Sequence, residues 1–139
     1  MKKVIFVCKG NMFRSQVAKA FYNQLAKDDS QAESYGTHVV EQGYQGKKLS
    51  LYPLLGILFN ELKKYNLDIS NEHCEQLKEE YLKDADKIVV MAEEEFIPEW
   101  LKGYQYEYWK NIPNPEAHSQ EIIEDAVLLI REKVLKLIG

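Results

Sequence analysis

A cysteine and an arginine stand six positions apart near the start of the chain, and together they predict an oxyanion site that contains a nucleophile. Cys8 follows a short apolar run, and Arg14 leads into a segment with helical spacing. A loop that joins a strand to a helix N-terminus turns backbone N–H groups inward, where they bind anions. The same positive field stabilises a thiolate, the reactive form of cysteine. The planar guanidinium of Arg14 matches two oxyanion oxygens at once.

The residues around this pair favour the same interpretation. Gly10 allows close approach of the backbone, and Asn11 tolerates a left-handed conformation. Ser15 can donate a hydrogen bond to the sulfur and favour its ionised form. A lone cysteine at the end of a strand is usually a small buried apolar residue, but the combined pattern favours an anion site. The expected phosphate-binding residues are Lys9, Gly10, Asn11, Met12, Phe13 and Arg14.

Alternating strands and helices must position this loop. Apolar β-branched runs predict buried strands at 4–7 and 87–92, with weaker strands at 31–35 and 104–108. Helical spacing predicts helices at 15–27, 53–66, 93–102 and 122–138. One more helix, capped by Ser70 or Asn71, is expected to carry Gln76, Leu77 and Tyr81 on its faces. A polar loop is expected at 36–50.

This order of elements predicts an α/β fold of three layers, α/β/α, around a small parallel sheet of about four strands. The phosphate-binding loop lies between strand 1 and helix 1. Ligands of such sheets bind at the carboxyl ends of the strands, which is where Cys8 falls. We expect residues 1–139 to form a single domain, because the chain has no linker, repeat or low-complexity tract.

Composition narrows the function classes. The net charge of −4 argues against a broad nucleic-acid footprint. No apolar run approaches membrane-spanning length, and the N-terminal apolar stretch is too short for a signal peptide, so we expect a cytoplasmic protein without membrane contact. Two cysteines suggest neither a disulfide framework nor a zinc site, and His38, His73 and His118 form no ligand cluster. No metal or other cofactor is expected.

The stretch at 7–15, Val-Cys-Lys-Gly-Asn-Met-Phe-Arg-Ser, resembles the signature of the low-molecular-weight protein tyrosine phosphatases. The related thioredoxin-coupled arsenate reductases share that fold. Supporting segments follow in the family's order at 33–37, 67–71, 84–91 and 112–115.

The resemblance implies roles for these residues. Cys8 would attack the phosphoryl group and form a phosphocysteine, while Arg14 and the N–H groups of residues 9–14 hold its oxygens. Ser15 would tune the thiolate. Asn11 would hold the loop, with Ser34 and Asn71 as its partners.

Asn114 departs from the family pattern, which has an aspartate that protonates the leaving group. An amide has no proton to give at neutral pH, and general-acid catalysis is typically worth about 10²–10⁴-fold. The sequence is therefore consistent with a weakened enzyme, an engineered acid-to-amide variant, or one that uses another acid such as Glu116 or His118. For Glu116, an acidic residue near a helix start is the simpler interpretation.

Two further departures concern thiols and the substrate wall. Phe13 and Ala92 stand where relatives carry additional cysteines, which argues against a multi-cysteine reductase. Cys74, expected on a helix, is interpreted as a structural or surface thiol. In the wall that would contact the substrate, the loop after Thr37 offers Val40 and Tyr44. Residues 116–117 stand where members of the family carry a pair of tyrosines.

The leading hypothesis is a cysteine-dependent phosphomonoesterase that acts on phosphotyrosine, in a phosphorylated protein, or on a small aryl phosphate. Two alternatives stay open. The first is a pseudophosphatase that binds phosphoproteins or free oxyanions. The second is an arsenate reductase that uses an external thiol.

Overall fold

A four-stranded parallel sheet forms the centre of the protein in the computed structural model, which describes residues 3–113 and 119–139. Its order is β2-β1-β3-β4, and all three strand pairs are parallel. The carboxyl ends of the strands therefore meet at one edge, and Cys8 ends a central strand. The strands are β1 (Lys3–Cys8), β2 (Gln31–Gly36), β3 (Lys87–Val90) and β4 (Glu107–Tyr108).

Helical segments cover both faces of the sheet, which confirms the predicted three-layer α/β/α class. Val4 and Phe6 of β1 pack in a core with the longer helices, while Ile5 and Val7 pack on the opposite face. A strand that is apolar on both sides is typical of a buried parallel sheet. The helices of the first face are α1 (Arg14–Leu25), α2 (Gly56–Lys63) and α4 (Gln120–Ile138), and the opposite face carries α3 (Glu99–Lys102) and a 3-10 turn at Glu79–Leu82.

The prediction of a helix that begins at Ser70 or Asn71 is wrong. Residues 72–78 are extended, and only a 3-10 turn follows at Glu79–Leu82. The backbone of this segment pairs with β2, because Gly36 donates to the Glu75 carbonyl at 3.0 Å and Leu77 donates to the Gly36 carbonyl at 2.8 Å. On its other side, Cys74 donates to the Lys47 carbonyl. These tertiary hydrogen bonds outweigh the local helical pattern.

Two other predicted helices are shorter than expected. The segment at 93–102 divides into a 3-10 turn (Glu94–Phe96) and α3, with Pro98 between them in an extended conformation. The segment at 53–66 begins as a 3-10 turn (Pro53–Leu55) and continues as α2. Proline has no N–H to donate, so it is tolerated where it stands here, at the first residue of the 3-10 turn (Pro53) and directly before α3 (Pro98).

Within the described residues, no helix is long and apolar enough to cross a membrane. In that same part of the chain, no group of three or more histidine, cysteine or acidic side chains could hold a metal ion.

Candidate active site

The loop from Cys8 to Ser15, which we call the anion loop, leaves β1 and enters α1. Asn11 has a φ of 56°, the left-handed conformation expected for it. Phe13 precedes α1, whose first turn has no side-chain cap. No described residue accepts a hydrogen bond from the backbone N–H groups of residues 9, 10 and 12–15. These donors are available to bind an oxyanion.

The sulfur of Cys8 lies inside this ring of donors. The Ser15 Oγ is 2.9 Å from Cys8 Sγ, and the backbone N–H of Asn11 donates to the same sulfur at 3.3 Å. Only 2% of the Cys8 surface is exposed. Hydrogen-bond donors directed at the sulfur make this arrangement suitable for a nucleophilic cysteine.

The direction of the hydrogen bonds around Asn11 follows from one fixed donor. The backbone N–H of Glu75 donates to Asn11 Oδ1 at 2.8 Å, so the other amide atom must be the nitrogen. That nitrogen donates to Ser15 Oγ at 2.8 Å and to Ser34 Oγ at 3.1 Å. Because Ser15 Oγ accepts from Asn11, its own proton can point to the sulfur.

Gln16 holds the same loop from the helix side. Its Nε2 donates to the backbone carbonyls of Asn11 and His73, both at 3.1 Å, and lies 3.3 Å from Asn11 Oδ1. Since a carbonyl only accepts, the amide orientation is fixed. Gln16 Oε1 has no partner among the described residues, although the side chain is 2% exposed. The amide nitrogen therefore joins the loop to the segment after residue 72.

Arg14 is positioned by residues that directly follow β3, the strand next to β1. Its guanidinium donates to the Met91 carbonyl and to Glu93 Oε1, each at 3.0 Å, and the residue is only 4% exposed. A guanidinium has five N–H donors, so others remain for a ligand. Burial alone would raise the pKa of Glu93, but its own backbone N–H and Arg14 hold that pKa below its ordinary value. The pair is therefore charged at neutral pH.

Gly36 allows β2 to approach the anion loop closely. A Cβ at this position would lie 2.6 Å from the Lys9 carbonyl oxygen and 2.9 Å from the Asn11 nitrogen. Both distances are shorter than real Cβ contacts, so only glycine fits without moving the loop.

A cavity of about 310 Å³ opens above the anion loop. One side carries Lys9, whose Nζ lies 3.9 Å from the centre of the Phe96 ring. Most of the other lining residues are apolar. The lining residues are Cys8, Lys9, Gly10, Met12, Phe13, Arg14, Gln42, Tyr44, Tyr52, Leu54, Leu55, Leu58 and Ile123.

The structure brings most of the predicted site residues together, and Ser34 contacts Asn11 as expected. Asn71 does not: it is exposed in a turn, and the bond to Asn11 expected from it comes instead from the backbone of Glu75. The physical reason is that residues 72–78 are extended, which brings residue 75 rather than 71 next to the loop. Asn114, Glu116 and His118 lie outside the described residues, as does Ala117.

Sequence reasoning missed Gln16, Glu93 and Tyr52. The sequence predicts that a helix begins at residue 93, yet Glu93 follows β3 at the edge where ligands of parallel sheets bind, and that position could have identified it. Nothing comparable marks Gln16 or Tyr52. Of the predicted wall residues, Tyr44 lines the cavity, whereas Val40 is 56% exposed and is absent from its lining.

Cys74 is buried in the extended segment rather than carried on a helix. Burial, and to a smaller extent the nearby Cys8, raises the pKa of Cys74 to about 12. It therefore stays a neutral thiol at physiological pH, which disfavours it as a second reactive cysteine.

Comparison with known proteins gives a consistent picture. The family model for low molecular weight phosphotyrosine protein phosphatase matches residues 3–138. The chain is 26% identical to a glutaredoxin arsenate reductase of Synechocystis, over 100% of this chain and 98% of that protein. It is 28% identical to the low molecular weight protein-tyrosine-phosphatase Ptp of Acinetobacter johnsonii, over 94% and 91%. Among solved structures, Vibrio vulnificus Wzb in complex with benzylphosphonate shares the fold, with a TM-score of 0.82, 24% identity, and coverage of 99% and 97%.

Proposed function

The chain belongs to the low molecular weight phosphotyrosine protein phosphatase family of enzymes, and from this premise we propose that it hydrolyses aryl phosphate monoesters through a phosphocysteine on Cys8. The substrate is a phosphotyrosine in a protein or a small aryl phosphate. The observation that carries the proposal is the chain of hydrogen bonds from the Glu75 N–H through Asn11 to Ser15, which directs a proton donor at the sulfur.

In the first step, the Cys8 thiolate attacks phosphorus in line with the ester oxygen. The sulfur–phosphorus bond forms as the phosphorus–oxygen bond breaks, and the aryl oxide leaves with the bonding electron pair. The Arg14 guanidinium and the available backbone N–H groups of residues 9, 10 and 12–14 hold the other three oxygens. Such preorganised donors are each worth about 3 kcal/mol in the transition state. Water then attacks the phosphocysteine, which releases inorganic phosphate and restores the thiolate.

Proton delivery to the leaving oxygen is the weak part of this mechanism, because the family's acid position is Asn114. An amide can hydrogen-bond the leaving oxygen but cannot protonate it. Acidic phenols leave readily without protonation, so turnover should fall steeply as the pKa of the leaving phenol rises. A series of substituted phenyl phosphates measures this slope, and a flat series would contradict the proposed role of position 114.

The first experiment is metal-free hydrolysis of para-nitrophenyl phosphate between about pH 5 and about pH 8, with Cys8→Ser as the control. Turnover that disappears in the variant supports the proposal. Absence of turnover, together with phosphate or vanadate binding that depends on Arg14, would support a phosphate-binding pseudophosphatase instead.

A second candidate is arsenate reduction with an external thiol, favoured by the full-length similarity to an arsenate reductase. Cys8 would displace water from arsenate and form a sulfur–arsenic bond. An external thiol would then attack the sulfur, so that the electron pair reduces arsenic from the pentavalent to the trivalent state and a mixed disulfide remains. A second external thiol would restore Cys8. The buried thiol of Cys74 is unsuited to take the place of the external thiols. Arsenite should therefore form only when a small thiol or a glutaredoxin is supplied.

A further inference from the structure

A second cavity, of about 320 Å³, lies beside the anion loop, and we call it the second cavity. Its walls come from the loop after β2, the extended segment at 72–78 and the residues that follow β3. They include Thr37, His38, Glu41, Gln76, Glu95 and Trp100. We infer that the second cavity binds an arginine side chain of a phosphoprotein whose phosphate lies in the anion loop. The inference deepens the proposed function and rests on it only in taking the partner to be a phosphoprotein.

Two contacts join the second cavity to the anion loop. The backbone N–H of His38 donates to the Lys9 carbonyl at 2.9 Å, and the Lys9 Nζ lies 3.9 Å from the centre of the Phe96 ring. His38 and Phe96 line the second cavity, whereas Lys9 lines the cavity above the anion loop. The two cavities therefore lie on either side of directly contacting residues, so one extended peptide can reach both.

Opposite charges mark the two cavities. Lys9 and Arg14 line the cavity above the anion loop, while Glu41 and Glu95 line the second cavity. Both glutamates are exposed, and neither forms an ion pair with a described residue. A ligand that carries an anion and, a short distance away, a cation is complementary to both cavities, because each charge meets its opposite.

Trp100 makes the second cavity suited to a guanidinium. The residue is 37% exposed, and its ring packs edge-to-face against Tyr104 with the ring centres 6.2 Å apart. Tryptophan is the aromatic side chain that attracts cations most strongly. A guanidinium is planar and weakly hydrated, so it can stack on an aromatic face while its N–H groups bind a carboxylate. Arginine therefore matches both the indole and the glutamates of this cavity.

The second cavity is preformed by the side chain of Gln76. Its Nε2 donates to the Thr37 carbonyl at 2.7 Å, and its Oε1 accepts from the Val40 N–H at 3.0 Å. The backbone N–H of Gln76 also donates to Gln45 Oε1 at 2.7 Å. These bonds hold the loop after β2 against the extended segment at 72–78. A site that is ordered before binding costs less conformational entropy when a ligand enters it.

The test compares phosphonopeptides that differ in one side chain. Each peptide carries phosphonomethylphenylalanine, a non-hydrolysable substitute for phosphotyrosine, and places either arginine or its uncharged isostere citrulline within about three residues of it. We expect arginine, at one or more of these positions, to bind about fivefold more tightly than citrulline in calorimetric titrations. Equal affinities of the arginine and citrulline peptides at every position would overturn the inference.

Glu95 and Glu94 form a matched pair for substitution. Both are exposed glutamates of the same 3-10 turn, but Glu94 is absent from the described lining of the second cavity. Glu95→Gln and Trp100→Leu should each reduce the ratio of arginine to citrulline affinity about twofold. Glu94→Gln should leave the ratio unchanged. Equal effects of the two glutamate substitutions would assign the preference to the general negative charge of this surface and overturn the inference.

A measurement without phosphate separates this inference from the proposed function. The chain has two tryptophans, and the indole N–H signal of buried Trp109 serves as an internal reference for that of Trp100 in NMR spectra. An unphosphorylated arginine peptide should shift the Trp100 signal, and the citrulline peptide should not. If this shift occurs but no phosphate ester is hydrolysed, the proposed function fails and the second cavity stands as an arginine site. If esters are hydrolysed with neither the shift nor the arginine preference, the inference fails and the proposed function stands.

Discussion

The anion loop borders the cavity above it together with an apolar wall formed by Tyr44, Tyr52, Leu54 and Leu55, but the side chains of the two regions are held in different ways. In the loop, Asn11 and Ser15 are fully buried and each makes several hydrogen bonds. In the wall, Leu54 is 63% exposed and contributes only apolar surface. From this difference we expect that substitutions in the anion loop abolish the chemistry, whereas substitutions in the apolar wall change the selectivity among ligands.

The physical reason is the cost of an unpaired polar group. Removing one partner from a buried hydrogen-bonded network leaves another group unsatisfied, at a cost of about 1–3 kcal/mol. Removing a half-exposed apolar side chain costs little stability, because most of its surface already contacts water.

Arg14→Lys should cause the largest loss of activity among the substitutions in the anion loop. Lysine cannot bind two oxygens with a planar fork or keep the bonds to Met91 and Glu93. We expect kcat/KM for para-nitrophenyl phosphate to fall about 10²–10³-fold, the cost of losing one preorganised oxyanion donor. Arg131→Lys, on α4, is the matched control and should keep wild-type activity. A loss smaller than tenfold for Arg14→Lys would argue against its role.

Gly36→Ala tests whether the loop depends on close packing by β2. The added Cβ would collide with the Lys9 carbonyl and the Asn11 nitrogen, which belong to the loop backbone. We expect unfolding by urea to show a loss of about 1–3 kcal/mol, together with reduced kcat. Gly56→Ala is the control, because nothing lies within 4 Å of a Cβ there and the residue is helical. That variant should gain up to about 1 kcal/mol, and equal effects at both glycines would contradict this interpretation.

Gln16→Met tests whether the anion loop depends on the hydrogen bonds that Gln16 donates, because the substitution keeps the length of the side chain and removes its donors. The Asn11 and His73 carbonyls then lose a partner, so we expect a stability loss of about 1–3 kcal/mol and a pH–rate profile that differs from the wild type. Gln105→Met, at an exposed position whose side chain makes no hydrogen bond to the described residues, should change neither quantity. An unchanged pH–rate profile in Gln16→Met would restrict Gln16 to a purely structural role.

Glu93→Gln should give the smallest effect. The pKa of Glu93 is lowered in the folded protein, so its stabilisation is present above the ordinary glutamate pKa and is lost as the pH falls through the lowered value. Because the side chain is 43% exposed, solvent screens the ion pair and we expect no more than about 1 kcal/mol. Urea unfolding at neutral and acidic pH should show a difference between wild type and variant only at neutral pH. The same difference at both pH values, or an equal effect of Glu95→Gln, would disagree with this account.

What the sequence predicted depends on how local each feature is. The anion loop could be predicted because its residues are consecutive and follow a strand that is apolar on both faces. The resemblance added Ser34, which contacts Asn11. The segment at 70–81 was predicted as a helix because its apolar residues have helical spacing, but hydrogen bonds to Gly36 and Lys47 decide its conformation. No local pattern encodes those bonds.

The missed residues follow the same rule. Glu93 contacts an arginine 79 positions earlier, and Gln16 contacts a carbonyl 57 positions later. Either contact requires the sheet order, which local spacing does not contain. Tyr52 and Leu54 acquire their places on the cavity through hydrogen bonds of residues 49 and 50 to residues 70 and 72.

The supports of the anion loop also set the time at which the site can form during synthesis. Cys8 and Arg14 leave the ribosome early, whereas the Glu75 N–H and the Glu93 carboxylate become available only after most of the chain has been made. A nascent chain of seventy residues therefore carries Cys8, the proposed nucleophile, without the contacts that orient the anion loop. A working site therefore requires the completed sheet, which only a nearly full-length chain can form.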